Sequence, residues 1–533
     1  MLVAIDLTGH DDAQLIFETL NDRGTPLLKA DLIKNWVFRK GEKLKADVER
    51  WAVTHWAEFD TDWWREEINQ GRLTRSRVDI FLQYWLTMRR QEEVKTEDAF
   101  RIFVAYAEPR MESANTADGL LRELRRDADT YRDFAELHPD STEGRFHNRV
   151  IERLELAVTT PLFLWMLSAN HGVPAEQVRT GLEALESWAI RRTLLRMTTK
   201  DVNKFVVAAL KMMENVSAAN AGEALRDYLS EQTAETRIWP SDSRMMTQLP
   251  ALRMYGSVRQ DRLRVVLGAV ERHLRARSSM YEEVQLPDGL ELEHVMPQGW
   301  RSHWNAAQLD PDAAAERDRI VNTIGNLTLT TKSLNISLSN RPWLDRDADG
   351  LREGGRAGEG KRSLLNGFSL LVLNKEIVIG HGESWSEADI AERSEELTRV
   401  ICQFWTGPSM DLQAAATEES NRPPEPADLQ EISWTETDVR RLSGEVGETM
   451  LIVLDTLAAG PGVKWSNADF VDADLTTHAY AALGALAVKV KASFHRTNGP
   501  IIYTNTDSTW AWSLSEEFAE MWRRARASAS ASA

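Results

Sequence analysis

From residue 41 to residue 285 the apolar residues recur at three- and four-residue spacing, and this periodicity constrains the fold more than any other feature. The runs VDIFLQYWLTM, GLLRELRRDADTYRDFAEL, RVIERLELAVTTPLFLWML and GLEALESWAIRRTLLRM each place their large side chains on one stripe of a helix. Strand-like alternation is scarce over the same stretch. The expected architecture is therefore a helical scaffold over 41–285, closed by packing its apolar stripes together. The 19 tryptophans fit that reading, since aromatic stripes at helical spacing are core far more often than ligand platforms. A chain of 533 residues exceeds what one core usually supports, so the fold class is mostly α and multidomain.

The flanks differ. Residues 1–40 read as a strand (LVAIDL), a turn, a helix (AQLIFETL) capped by Asp11 or Asp12, a break at NDRGTPL, and a second helix (KADLIKNWVF). A strand that opens a chain needs a partner, and few follow nearby. In 286–406 the pattern changes again. LELEHVMP and IGNLTLTT read as short strands, KSLNISLSN as helix, and GLREGGRAGEGKRS as a Gly-rich loop. SEADIAERSEELTRVICQFW is an amphipathic helix with Ser386 at its N-cap. Residues 407–432, rich in Ala, Glu and Pro, read as a linker. In 433–525, helices lead into the hairpin IIYTNTDSTWAWSL, the signature of a winged-helix-like α+β domain; Trp510 and Trp512 would close its small core. The tail 526–533 ends in SASASA and is expected to be disordered.

The formal net charge is −18, which argues against a protein that coats nucleic acid non-specifically but leaves room for a local basic groove. One cysteine, Cys402, excludes an intrachain disulfide and a Cys-based zinc site, and suits a reducing cytoplasm. No basic, apolar leader opens the chain and no apolar run is long enough for a membrane span, so a cytoplasmic protein with no membrane partner is expected.

One constellation carries chemistry. Glu293 and His294 end the first short strand of 286–406, Asn326 opens the second, and Asn335 lies nine positions later on the helix. A neutral imidazole titrates near working pH and suits a general base. A carboxylate with an amide carbonyl is the hard-oxygen set that Mg2+ accepts beside a phosphate. A hairpin followed by a helix can gather these groups. Singly, each residue is ordinary: Asn in a Gly-Asn pair is usually a turn former. HExxH and a Gly-rich phosphate loop are absent, and the other histidines, His303 included, lack metal-ligand spacing. Farther on, KVKASFHRTNGP offers Lys489, Lys491, His495 and Arg496, either as phosphate contacts of a winged helix or as cations at a solvated helix end.

The segments EHVMPQ and IGNLTLTTKSLNISLSNRPW resemble the His-Asn-Asn (HNH) module of GmrSD-type, modification-dependent type IV restriction endonucleases and of related phosphorothioate-sensing defence nucleases. FETLNDRGTPLLKADLIKN resembles the closing segment of that family's ParB/sulfiredoxin-like nucleotide-handling domain. WAIRRTLLRMTTKDVNKF resembles its helical middle, and GKRSLLNGFSLLVLN the end of its nuclease half. The resemblance implies a small ββα-metal nuclease fold over 286–406 that cuts DNA, of modified or phage origin, in bacterial defence. It implies His294 as general base, with Asn326 orienting it or bracing its loop. It implies Glu293 and Asn335 as ligands of Mg2+ or Mn2+. Arg341 and Lys361 would contact phosphate. Asn21, Arg23, Asp31 and Lys34 would remain from a nucleotide pocket, or simply cap and pair within helices. The family's opening Asp-Gly-Gln-Gln-Arg motif is missing, so the nucleotide-handling domain is expected to be truncated, or supplied by a separate subunit, and use of an NTP falls into doubt. The rival expectation is an inactive truncated copy that binds DNA as a regulator. A homo-oligomeric partner is also compatible with a single HNH site.

Overall fold

The computed structural model describes residues 28–410, apart from 71–72, 278–285, 288, 305–308 and 352–356, and residues 434–530, apart from 474, 477–478, 480–485, 487–500 and 507–508. The expected strand and helix of residues 1–27, with Asn21 and Arg23, lie outside the described residues, as do Lys489, Lys491, His495, Arg496 and most of the expected linker. The chain divides into two compact units, Met1–Asn421 and Arg422–Ala533. It is mostly helical, as the periodicity predicts. No described helix is long and apolar enough to cross a membrane.

In the first unit, α1 (Lys29–Lys43), α2 (Arg77–Arg90), α3 (Ala114–Asp133), α4 (Thr160–Leu167) and α5 (Ala175–Leu194) enclose an aromatic-rich core. Trp51, Trp56, Trp64, Trp85 and Trp188 are all buried in it. Caps fix where these helices begin: the Ser76 side chain accepts from Asp79 N, and Ser113 and Thr116 form a reciprocal capping box. One feature departs from the all-helical expectation. Strands β1 (Glu67–Gln70) and β2 (Leu73–Ser76) form an antiparallel hairpin just before α2. Their polar, four-residue sequences give no alternation to detect.

After three further helices between residues 202 and 248, α6 (Gln260–Ala276) runs beside strands β3 (Glu291–His294) and β4 (Leu327–Thr330), which pair antiparallel with His294 opposite Leu327. Helix α7 (Lys332–Leu338) follows β4 directly, its first turn capped by the Thr331 hydroxyl. Three helices then complete the unit: α8 (Lys361–Phe368), α9 (Val372–Gly380) and α10 (Glu387–Phe404), the last opened by the Ser386–Asp389 capping box. Leu292, Leu327 and Leu329 of the hairpin, Val372 and Leu373 of α9, and Leu397 and Trp405 at the end of α10 share one core with the scaffold, while Leu334, Leu338, Leu364, Leu365 and Ile390 form a second, smaller core.

Buried polar anchors tie the two halves together. The Arg191 guanidinium on α5, fully buried, donates to Trp405 O at 2.5 Å, Cys402 O at 3.4 Å and Pro240 O at 2.9 Å. Glu186 accepts from the Trp405 indole at 2.8 Å and from Arg149 at 2.5 Å. Glu271 on α6, fully buried, accepts from the backbone N–H groups of Val372 and Leu373, each at 2.9 Å, so its charge sits at the N-terminus of α9. Removing any one of these would leave a buried polar group unmatched, the costly side of hydrogen-bond energetics.

The second unit holds α11 (Glu436–Glu445), α12 (Glu448–Ala459), β5 (Trp465–Ser466), α13 (Asn467–Asp472), the hairpin β6 (Ile501–Thr506) and β7 (Thr509–Leu514), and α14 (Glu516–Ser530). The run read as one helix, DVRRLSGEVGETMLIVLDTLAA, breaks at Val446–Gly447. Its sheet has the order β5-β7-β6. Trp512, Trp522, Phe470 and Leu454 form its core. The expected disordered tail is corrected in part. Helix α14 runs through Ser530, because Arg526 pairs with Asp455 at 3.1 Å and the Ala-rich end continues the turn.

Candidate functional site at the end of strand β3

His294 is the last residue of β3 and is buried there, 9% exposed. The Tyr255 ring stands edge-on to its imidazole, with centroids 4.5 Å apart. Among the described residues its Nε2 has no hydrogen-bond partner, although it is sealed from solvent. Burial, first, and the nearby Lys361 charge, second, push its pKa down to about 4, against a smaller upward pull from the Asn322 side chain. The imidazole is thus neutral at neutral pH, with one nitrogen unspent.

The loop after His294 is held from four directions by Asn326, which is fully buried. Its Oδ1 accepts from Met296 N at 2.8 Å and from the Trp385 indole at 3.0 Å. Its Nδ2 donates to Met296 O and Val321 O, both at 2.8 Å. Of the two roles expected for this amide, the geometry matches the brace: none of these bonds reaches the imidazole. The preceding Gly325 owes its identity to packing. A Cβ there would lie 2.1 Å from Ile390 O and 2.4 Å from Ser394 Oγ, so only glycine lets α10 approach this turn. Arg393 then clamps Gly325 O at 2.5 Å and Leu327 O at 2.9 Å.

Glu293 precedes His294 on the strand, so its side chain leaves by the opposite face. It meets Lys361, whose buried ammonium donates to the Glu293 carboxylate and, at 2.7 Å, to His294 O. Burial pushes the Glu293 carboxyl up and the Lys361 ammonium down, while each charge pulls the other back. Asn335 stands on α7, half-buried, and its Nδ2 donates to Leu292 O at 3.0 Å. That bond docks α7 on β3 through Nδ2 and leaves the amide oxygen outside it.

The structure therefore brings Glu293, His294, Asn326 and Asn335 into one hairpin-and-helix frame. Other residues are placed differently from expectation. Arg341 and Lys361 are fully buried, so neither can be a phosphate contact in this arrangement. Arg341 spends donors on Ser337 O at 2.9 Å and Glu359 O at 2.7 Å, closing the turn after α7. Lys361 is the counter-charge of Glu293. Asp31 pairs with Arg65 at 2.7 Å and Lys34 with Asp60 at 2.5 Å, within the helical body. That is the pairing alternative expected for them. Sequence reasoning missed Tyr255, Asn322, Trp385 and Arg393. Only Asn322, four residues before Asn326, had any local signal.

The donors that could hold a divalent cation are of the hard-oxygen type: the Glu293 carboxylate and the Asn335 amide oxygen. No cluster of three His, Cys, Asp or Glu with metal-ligand geometry occurs among the described residues, so the remaining ligands would be water and phosphate. The donor chemistry fits magnesium or manganese. The surroundings of Glu293 already carry a buried positive charge, which a divalent ion would have to share or displace.

Residues 239–400, which hold this hairpin, α7 and nearly all of α10, match the family model described as GmrSD restriction endonucleases, C-terminal domain. Over that stretch the chain is similar to the GmrSD-type restriction endonucleases. No individual curated protein matches the chain.

Proposed function

We propose that residues 286–406 work as a ββα HNH module that hydrolyses DNA phosphodiester bonds with the help of Mg2+ or Mn2+, nicking or cutting modified or phage DNA in bacterial defence. The observation that carries this reading is His294. It is a buried, neutral imidazole with an unspent Nε2, held at a strand end by a loop that Asn326 fixes. A nitrogen in that state can accept a proton from a water placed in the cleft as that water attacks phosphorus. Its low pKa keeps it deprotonated throughout the neutral range. Tyr255 confines the ring and Asn326 confines the backbone, so the base is aimed before substrate arrives. A divalent ion held by Glu293 and Asn335 would supply charge neutralisation at the phosphate and leaving oxygen.

The test uses the full chain on supercoiled plasmid with Mn2+ or Mg2+. His294→Ala is expected to abolish nicking while leaving DNA binding nearly intact. Equal cutting by variant and wild type removes the proposal.

For the second unit we propose a winged helix. The support is the sheet order β5-β7-β6, in which the second hairpin strand pairs with a short strand between helices. It would contribute DNA contacts through Lys489, Lys491 and Arg496. In the rival reading, a non-catalytic DNA-binding regulator, deleting 433–525 removes all DNA affinity and metal makes no difference. We propose no NTP-dependent step in either case, because Asp31 and Lys34 are committed to Arg65 and Asp60.

A further inference from the structure

A cavity of about 600 Å³ lies between the segment 142–153, helix α6 and the start of β3. Its walls carry two rows of cations. Arg145, Arg149 and Arg153 recur at four-residue spacing on one side, and Arg264 and Arg272 lie eight apart on α6, with Gly268 midway between them. Arg149 is spent on Glu186, and Arg145 donates to Asp140 O at 2.5 Å and Thr142 Oγ1 at 3.2 Å. Arg153, Arg264 and Arg272 have no hydrogen-bond or ion-pair partner among the described residues. Of the lining carboxylates, Asp261 is already paired with Arg259 at 2.6 Å, leaving Asp140 and Glu291.

In a chain of net charge −18, this is a local concentration of positive charge. The cations also act on one another: partial burial first, then the Arg149 charge, pull the Arg272 pKa below the ordinary guanidinium value, with Asp140 pulling it back and Arg145 adding to the fall. Like charges gathered without carboxylates to match are stabilised by an anion that arrives from outside.

Gly268 adds an independent observation. A Cβ built on it would meet no heavy atom within 4 Å, so packing does not demand glycine there. Glycine inside a helix costs about 1 kcal/mol relative to alanine. Its effect is to keep the wall between Arg264 and Arg272 flush with the backbone.

We propose that this cleft is the track for the phosphodiester backbone of the DNA substrate. Two facing rows of guanidiniums suit a ligand whose charges repeat along its length better than a compact phosphate group. The cleft also reaches strand β3, which carries His294 at its end. Glu291, on its rim, is three residues before His294 on β3, a span of about 10 Å at the usual strand rise. That is about three nucleotide steps at roughly 3.4 Å per step along one strand. The inference rests on the proposed nuclease reading for the identity of its ligand.

The experiment is fluorescence anisotropy of a labelled DNA duplex, and of its single strand, with the full chain in EDTA. Wild type, His294→Ala, the double variant Arg264→Glu/Arg272→Glu, and Gly268→Met are compared. Gly268→Met favours the helix and fills the cleft, so lost binding there cannot come from a weakened fold. The double variant should bind about 10-fold or more weaker, with the slope of log affinity against log salt reduced by about 2. Gly268→Met should also bind weakly, and His294→Ala like wild type. Wild-type DNA affinity in both cleft variants overturns the inference even if His294-dependent cutting holds. Cleft-dependent binding of free ATP without cleft-dependent binding of DNA also overturns it. Cutting by His294→Ala, with DNA binding still lost in the cleft variants, sinks the nuclease reading and keeps the cleft.

Discussion

The two faces of strand β3 carry adjacent residues in opposite states. On one face Glu293 is complete: its carboxylate has a counter-ion, Lys361, and that ammonium is satisfied a second time by His294 O. On the other face His294 is incomplete, with a sealed Nε2 that has no hydrogen-bond partner among the described residues. A fold selected only for stability has no reason to treat neighbours so differently, since an unmatched buried nitrogen costs free energy. The difference matches the proposed division of labour, in which the Glu293 face holds and the His294 face reacts.

Four measurements break or sharpen that contrast. The largest effect is expected on the reacting face. His294→Ala should lower the nicking rate by roughly 10²–10⁴-fold, the usual yield of a positioned general base. The same substitution should leave the melting temperature close to wild type. Next comes the holding face. Lys361→Met leaves a buried carboxylate unpaired and should cost about 3–5 kcal/mol in denaturant unfolding. Adding Glu293→Gln to Lys361→Met should recover much of that loss. A double variant no more stable than Lys361→Met would mean that the pair is not coupled. Third, Asn326→Ala removes four hydrogen bonds behind the reacting face and should destabilise by about 2–4 kcal/mol. It should also reduce kcat, because the loop after His294 loses its brace.

The smallest effect is in pH. His294 takes up a proton near 6.5 when unfolded but only near 4 in the fold. The unfolded chain therefore binds more protons between those values, so stability is complete above about pH 6.5 and declines as pH falls toward 4. Burial lowers His147 and His171 too, and they contribute with the same sign. His294→Leu should make the melting temperature fall less steeply over that window. An unchanged slope would show that the imidazole is not buried neutral.

The frame of this site was legible in the sequence because it is local. Alternating residues gave β3 and β4, the run KSLNISLSN gave α7, and the spacing of Glu293, His294, Asn326 and Asn335 gave their positions along the chain. What surrounds the frame was not legible. Trp385 and Arg393 reach Asn326 and Gly325 from about 60 residues away, and no spacing rule encodes that approach. Lys361 and Arg341 were expected as phosphate contacts on the strength of the family resemblance alone. Their burial is a property of the tertiary fold, and it reverses their roles. Asn326 taken singly looked like a turn former, and nothing in the sequence showed that Gly325 beside it is fixed by the closeness of α10. In the second unit the hairpin was legible, while the break between α11 and α12 was hidden inside a continuous helical pattern.

The shared core has a consequence for anyone who wants to move the proposed nuclease half elsewhere. The stretch recognised as a family domain begins at residue 239, but its last helix ends on carbonyls bound by Arg191, and Trp405 reports to Glu186. The evolutionary label and the mechanical part do not share an edge. A graft cut at the label would strip those carbonyls of their donors. A transplant that works must carry α5 along as part of the blade.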